Sequence, residues 1–142
     1  MDLTTSYVFD AAHRIAGHPG KCAWLHGHTY HLEVTVSSPT LNGLGMVMDF
    51  DDLGEAVQKA VLDLWDHATL LAADDPLGPA ISTVQREAPD RVVLLPGHPT
   101  AEVLTREAWT RLESRLPVGI ALERVAIRET PYCGSAISRP KT

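Results

Sequence analysis

Two segments of this chain alternate apolar and polar residues with a period of two, and a short loop joins them. In residues 3–13 the odd positions Leu3, Tyr7, Phe9 and Ala11 are apolar; in residues 26–38 Tyr30, Leu32, Val34 and Val36 share one parity, and His31, Glu33, Thr35 and Ser37 the other. Successive side chains of a strand point to opposite faces, so each segment is predicted to be a strand with one face against a core. Gly17, Pro19 and Gly20 break the chain between them.

The remainder supplies what covers that face. Residues 39–45 read as a turn leading to a short strand at Met46–Met48. A helix is predicted over 50–65, with Asp49 as N-cap and Asp51 and Asp52 in its first turn, where the helix dipole favours negative charge. Phe50, Leu53, Val57, Ala60, Val61, Leu64 and Ala68 fall at helical spacing, and the helix should end near Asp66-His67. Residues 72–90 are irregular, with a helical turn around Ile81–Glu87, and Arg91–Leu95 reads as a strand. Thr100 is the expected N-cap of a second helix with Leu104, Ala108, Leu112 and Leu116 as its buried stripe. A last strand runs from Ile120 to Glu129, and the tail Arg139-Pro140-Lys141-Thr142 reads as loose. The order predicts an α+β fold, an antiparallel sheet covered on one face by two helices.

With 142 residues, 44% of them hydrophobic and 21% charged, the chain suits one domain spanning 1–142. No apolar run approaches the roughly 18 residues of a membrane span. The N-terminus has neither the basic start nor the apolar stretch of a signal peptide. The expectation is a cytoplasmic protein that does not engage membranes. A net charge of −6 argues against a nucleic-acid partner, which would need a basic face. Cys22 and Cys133 are not expected to form a disulfide in that compartment.

His26-Gly27-His28 sets two imidazoles on one side of an extended chain, in phase with Tyr30, Leu32 and Val34. His13 has the parity of Phe9 and Ala11 at the end of the first strand. If the two strands pair antiparallel, His13 lies beside His26 and His28. Three neutral imidazoles suit Zn²⁺ and leave a fourth position open, as in catalytic sites. The competing reading is three unconnected histidines satisfied in the core or at the surface; His18, His31 and His98 are read that way.

Cys22 lies four residues before His26 and follows Lys21. A nearby cation would favour its thiolate. It could equally be an inert thiol or a fourth ligand of a closed zinc site. Asp66-His67 reads either as an ordinary helix end or as a carboxylate orienting an imidazole for proton transfer. Glu129 continues the apolar face of Val125 and Ile127, where a carboxylate needs a partner. That partner is either a buried arginine or a ligand edge with adjacent N–H donors, such as that of a pterin or guanine.

The segments Phe9-Asp10-Ala11-Ala12-His13, Lys21-Cys22-Ala23-Trp24-Leu25-His26-Gly27-His28-Thr29-Tyr30, Gly45-Met46-Val47-Met48-Asp49-Phe50-Asp51-Asp52-Leu53, Asp66-His67, Pro99-Thr100-Ala101-Glu102 and Glu129-Thr130 occur in this order along the chain. Over residues 7–130 the chain resembles the 6-pyruvoyl-tetrahydropterin synthase / QueD family. The resemblance implies the tunnelling fold, a four-stranded antiparallel sheet with two helices on one face. It also implies trimers that close their sheets into a barrel, and a homohexamer of two stacked trimers with active sites at subunit interfaces. By the same resemblance, His13, His26 and His28 would hold zinc and Cys22 would be the catalytic cysteine. Asp66 and His67 would complete the proton-transfer machinery from a neighbouring subunit. Glu129 would anchor the pterin ring, and Thr100 and Glu102 would line or support its pocket.

Three residues separate Cys22 from His26, which resembles the 6-carboxytetrahydropterin-forming members more than the pyruvoyl-forming ones. The implied substrate is a pterin triphosphate, for which Arg14 and Lys21 are the nearest cations in sequence. Val103 stands where the family commonly has asparagine, and Ile137 lies where tyrosine is frequent. Cys133 inherits no role.

Overall fold

The computed structural model describes residues 1–140. Strands β1 (Asp2–His13) and β2 (His26–Ser37) form the centre of the sheet. They pair antiparallel with Phe9 opposite Tyr30, Ala11 opposite His28 and His13 opposite His26. The predicted parity therefore becomes one continuous face, with Phe9, Tyr30, Leu32, Val34 and Val36 almost wholly removed from water.

The helix begins where expected. The Asp49 side chain accepts from the Asp51 N–H at 2.8 Å, the bond an N-cap makes. It runs as α1 (Phe50–Val57), widens into a π-helical turn (Gln58–Leu62), and ends as α2 (Asp63–Trp65). A π turn absorbs an extra residue and rotates the last helical turn about the axis. The consequence is that Trp65 is buried while Leu64 is only partly so, and Phe50 is exposed. Regular helical spacing places Phe50 and Leu64 in the stripe and passes over Trp65.

Among the described residues six strands are present instead of four, and the sheet is mixed. Its order is β4-β3-β1-β2-β5-β6. β3 (Ala68–Ala72) runs parallel to β1, and β4 (Val92–Leu95) runs parallel to β3, with α3 (Leu77–Val84) crossing between them. Buried parallel strands carry unbroken apolar runs. Ala68–Ala72 is apolar except for Thr69, and its first residue also fits the helical spacing. Met46–Met48 forms no strand; the bends there are held instead by Asn42, whose side chain accepts from the N–H groups of Leu44 and Met46.

β5 (Ala121–Arg128) pairs antiparallel with β2, and β6 (Gly134–Ser138) pairs with β5. Gly134 is required at this hairpin: a Cβ there would lie 2.5 Å from the carbonyl oxygen of Ile127. Arg139 is anchored to β5, its backbone N–H donating to Glu123 O and its Nε to Leu122 O. The expectation of a loose tail fails at this residue, while Lys141 and Thr142 lie outside the described residues. Helix α4 (Ala101–Glu113) is capped by Thr100 and buries Leu104, Ala108 and Leu112. Helices α1, α2 and α4 and the Phe9/Tyr30 face of the sheet share one apolar cluster, in which each fully buried large side chain contributes roughly 1.5–3 kcal/mol. No helix among the described residues is long and apolar enough to cross a membrane.

Candidate metal and pterin site

At the end of the β1–β2 ladder the core face turns polar. The ligand nitrogens of His13, His26 and His28 all lie within 4.8 Å of one another, and the Nε2 atoms of His13 and His26 are 3.2 Å apart. The far side of each of these two rings is fixed. His13 Nδ1 donates to Pro99 O at 2.8 Å, and His26 Nδ1 donates to Trp24 O at 2.7 Å. A carbonyl can only accept, so in each neutral ring the proton is on Nδ1 and the Nε2 lone pair faces inward. Two lone pairs facing each other at this distance repel unless a cation lies between them. Backbone carbonyls that orient ligand imidazoles in this way are the usual outer partners of a metal centre, and the donor chemistry suits Zn²⁺.

His13 is buried, and burial, followed by the positive charges that His26 and His28 would carry, brings its pKa from 6.5 down to about 4, against the opposing pull of Pro99 O. His28 is also lowered, first by burial and then by His26. This gives metal-free protein a predictable acid sensitivity. The unfolded chain binds a proton at His13 below about pH 6.5, whereas the folded chain resists it down to about pH 4. Stability is therefore complete above that window and falls by about 3 kcal/mol as the pH descends through it. Thermal melts of metal-free protein between about pH 7.5 and pH 4 measure the loss; His13→Gln should lose correspondingly less.

Glu129 completes this face. Its Oε1 lies 4.0 Å from His13 Nε2. Desolvation raises its pKa and the charge of Glu102 adds to the rise, while His26 acts against both. Among the described residues no ion pair joins Glu129 to an arginine, so the buried-arginine reading does not hold. The turn after Glu129 fixes its position: its N–H donates to Cys133 O at 3.0 Å, and the Thr130 hydroxyl accepts from the N–H groups of Tyr132 and Cys133. Thr100 approaches through its neighbour Pro99, which holds His13. Its own hydroxyl is engaged by the N–H of Val103 at 3.3 Å, and Glu102 lies exposed in the first turn of α4.

Cys22 is half-buried on a short 3₁₀ turn (Lys21–Ala23), and its sulfur is not among the converging ligand atoms. Among the described residues the geometry is that of three histidines without the cysteine, not of a closed four-ligand centre.

Asp66 and His67 come together, but on the opposite face. His67 Nδ1 is 3.0 Å from Asp66 Oδ1, and that oxygen also accepts from the Asp10 N–H. The Asp10 carboxylate faces the same imidazole and accepts a hydrogen bond from the Thr29 hydroxyl at 2.5 Å. Asp10 and Thr29 alternate with Phe9, Ala11, His28 and Tyr30, so this group projects away from the three histidines. His67 has φ +58, an unusual value for a non-glycine residue, held by its N–H donating to Asp10 O at 2.6 Å. A shallow depression of about 470 Å³ at this edge of the sheet is lined by Asp10, Gly27, His28, Thr29, His67 and Thr69, among others.

The sequence pattern of the family described as 6-pyruvoyl tetrahydropterin synthase matches residues 2–140. The chain belongs to this family of enzymes. It is 33% identical over 134 residues to the 6-carboxy-5,6,7,8-tetrahydropterin synthase of Haemophilus influenzae, covering 92% of this chain and 95% of that one. Over 136 residues it is 33% identical to the protein of the same name from Rickettsia felis, covering 94% and 96%. Among solved structures, the fold matches an uncharacterised protein of Wolinella succinogenes with a TM-score of 0.83 at 21% identity over 99% of this chain and 98% of that chain. It matches the Plasmodium falciparum 6-pyruvoyl tetrahydropterin synthase with a TM-score of 0.71 at 20% identity over 98% and 97%. These likenesses establish the tunnelling fold.

Within this family framework, several contributors have no sequence signal. The carbonyls of Trp24 and Pro99 are backbone groups, and no residue type announces them. Arg14, a candidate cation for a triphosphate, is already committed: its guanidinium forms a two-point ion pair with the carboxylate of Asp75, which is 3% exposed and also accepts from the Leu77 N–H. That carboxylate is held below its usual range chiefly by its hydrogen bond to Arg14.

Proposed function

We propose that this protein converts 7,8-dihydroneopterin triphosphate to 6-carboxy-5,6,7,8-tetrahydropterin, releasing acetaldehyde and triphosphate, as a step toward 7-deazaguanine compounds such as queuosine. The observation that carries the reading is the pair of inward Nε2 lone pairs on His13 and His26, 3.2 Å apart, with the Glu129 carboxylate 4.0 Å from His13 on the same face. His13, His26 and His28 would hold zinc, which when bound supplies Lewis-acid polarisation of substrate hydroxyls. Glu129 accepts two N–H donors from the amino-pyrimidinone edge and so fixes the ring. Cys22, as thiolate, takes a proton from the substrate side chain. His67, oriented by Asp66, moves protons to or from the ring and hydroxyls. Thr100 and Glu102 support the pocket from the start of α4.

The opposed faces of the two groups favour a shared site, in which one copy contributes the histidines, Cys22 and Glu129, and a neighbouring copy contributes Asp66 and His67. That arrangement fits a homohexamer of two stacked trimers. Mass spectrometry of the products formed from 7,8-dihydroneopterin triphosphate tests the reaction. The expected result is a 6-carboxy product with stoichiometric acetaldehyde. A 6-pyruvoyl product, or acetaldehyde without the 6-carboxy product, would replace this reading with that of another pterin side-chain lyase.

A further inference from the structure

Tyr30 belongs to none of the groups described above, and its hydroxyl is anomalous. The residue is 0% exposed, and its oxygen has no hydrogen-bond partner. Buried hydroxyls are normally paired; Thr5 Oγ1, Trp65 Nε1 and Arg111 Nε share this condition, and Tyr30 is the one whose ring borders the three histidines.

The register sets which side chains lie near Tyr30. Tyr30 sits opposite Phe9, whereas His13 sits opposite His26. Four residues along a strand span about 13 Å, so a ring standing upright at position 30 would be far from His13. The two ring centroids are nevertheless 5.9 Å apart, and the Tyr30 ring stacks on Phe9 at 5.0 Å. The two side chains therefore converge along the sheet, and the Tyr30 ring borders the histidine cluster, 5.6 Å from the His28 ring as well.

Glu129 is its neighbour on the other side. His31 pairs with Arg128 and Leu32 with Ile127, so continuing the antiparallel register by one residue sets Glu129 beside Tyr30 on the same face. Among the described residues the Glu129 carboxylate has no side-chain hydrogen-bond donor, so a donor without a partner and a free acceptor share this face.

We propose that Tyr30 is a positioning residue for the pterin anchor: when ligand fills the site, its buried hydroxyl donates to the Glu129 carboxylate and holds it square to the two N–H donors of the ring edge. The proposal rests on the pterin reading above. It is a specificity device as well, because a carboxylate held in one plane favours ligands with two adjacent donors over those with one.

Tyr30→Phe keeps the ring, its stacking on Phe9 and its burial, and removes only the hydroxyl. Hydrogen bonds to charged groups commonly carry about a tenfold effect or more. In the zinc-loaded protein, the dissociation constant for neopterin, read by fluorescence titration, should rise about tenfold. The KM for 7,8-dihydroneopterin triphosphate should rise in parallel, with kcat within about twofold. Zinc affinity, measured by chelator competition, should not change, and the melting temperature of metal-free protein should be unchanged or higher because an unpaired buried group is gone. Neopterin affinity within about twofold of wild type would overturn the proposal while leaving the pterin reading intact, and a loss of zinc affinity or of folded protein would overturn it in favour of a structural hydroxyl. Failure of the wild-type protein itself to bind neopterin would overturn both.

Discussion

Cys22→Ala is expected to lose turnover by roughly 10²–10⁴-fold, the usual contribution of a positioned acid–base group, while its zinc content stays at the wild-type level. The separation of these two effects comes from geometry. The Cys22 sulfur is outside the cluster formed by the three imidazoles, so its removal leaves every nitrogen donor in place. The thiol is half-buried rather than sealed in the core, so it is open to chemistry and its loss costs little packing. Steady-state turnover measured beside metal content by mass spectrometry decides the matter. A variant that comes out zinc-free would make Cys22 a ligand; one that turns over normally would remove it from the chemistry.

The parts of the site legible in the sequence are those that depend on strand parity alone. His13, His26 and His28 are recoverable because a period of two and an antiparallel pair leave one place for them to meet, and Glu129 because it interrupts an apolar face. The hidden parts depend on long-range packing. Ala68–Ala72 comes after a helix without a breaker, so its apolar residues continue a helical pattern as readily as they form a buried strand. The π turn in the 50–65 helix has no residue signature, yet it puts Trp65 in the core and sets the angle at which the chain leaves for Asp66 and His67. The face occupied by those two residues depends on β3 lying parallel to β1, a pairing between segments that only the folded sheet brings together. Arg14 looks like a free cation in the sequence for the same reason: its partner Asp75 lies on the far side of β3 in sequence but against the end of β1 in space.

His26→Ala should separate metal binding from folding. In the metal-free protein the inward lone pairs of His13 and His26 oppose each other at 3.2 Å, and His26 is only half-buried. Removing the ring relieves that repulsion and leaves no large core void, so the metal-free melting temperature should be unchanged or slightly higher. Zinc affinity should fall by more than the roughly 10–100-fold that loss of an outer partner costs, because a direct donor is gone from a set of three. Since a ligand that binds only the folded state stabilises in proportion to the logarithm of its affinity, the rise in melting temperature on adding zinc to the wild type should nearly vanish in the variant, and turnover with it. Melting curves with and without added zinc, recorded for both proteins, test the claim in one experiment. If the variant keeps the full zinc-induced shift, His26 is not a ligand and the three-histidine centre is wrong. If it unfolds without metal, the imidazole serves the fold instead.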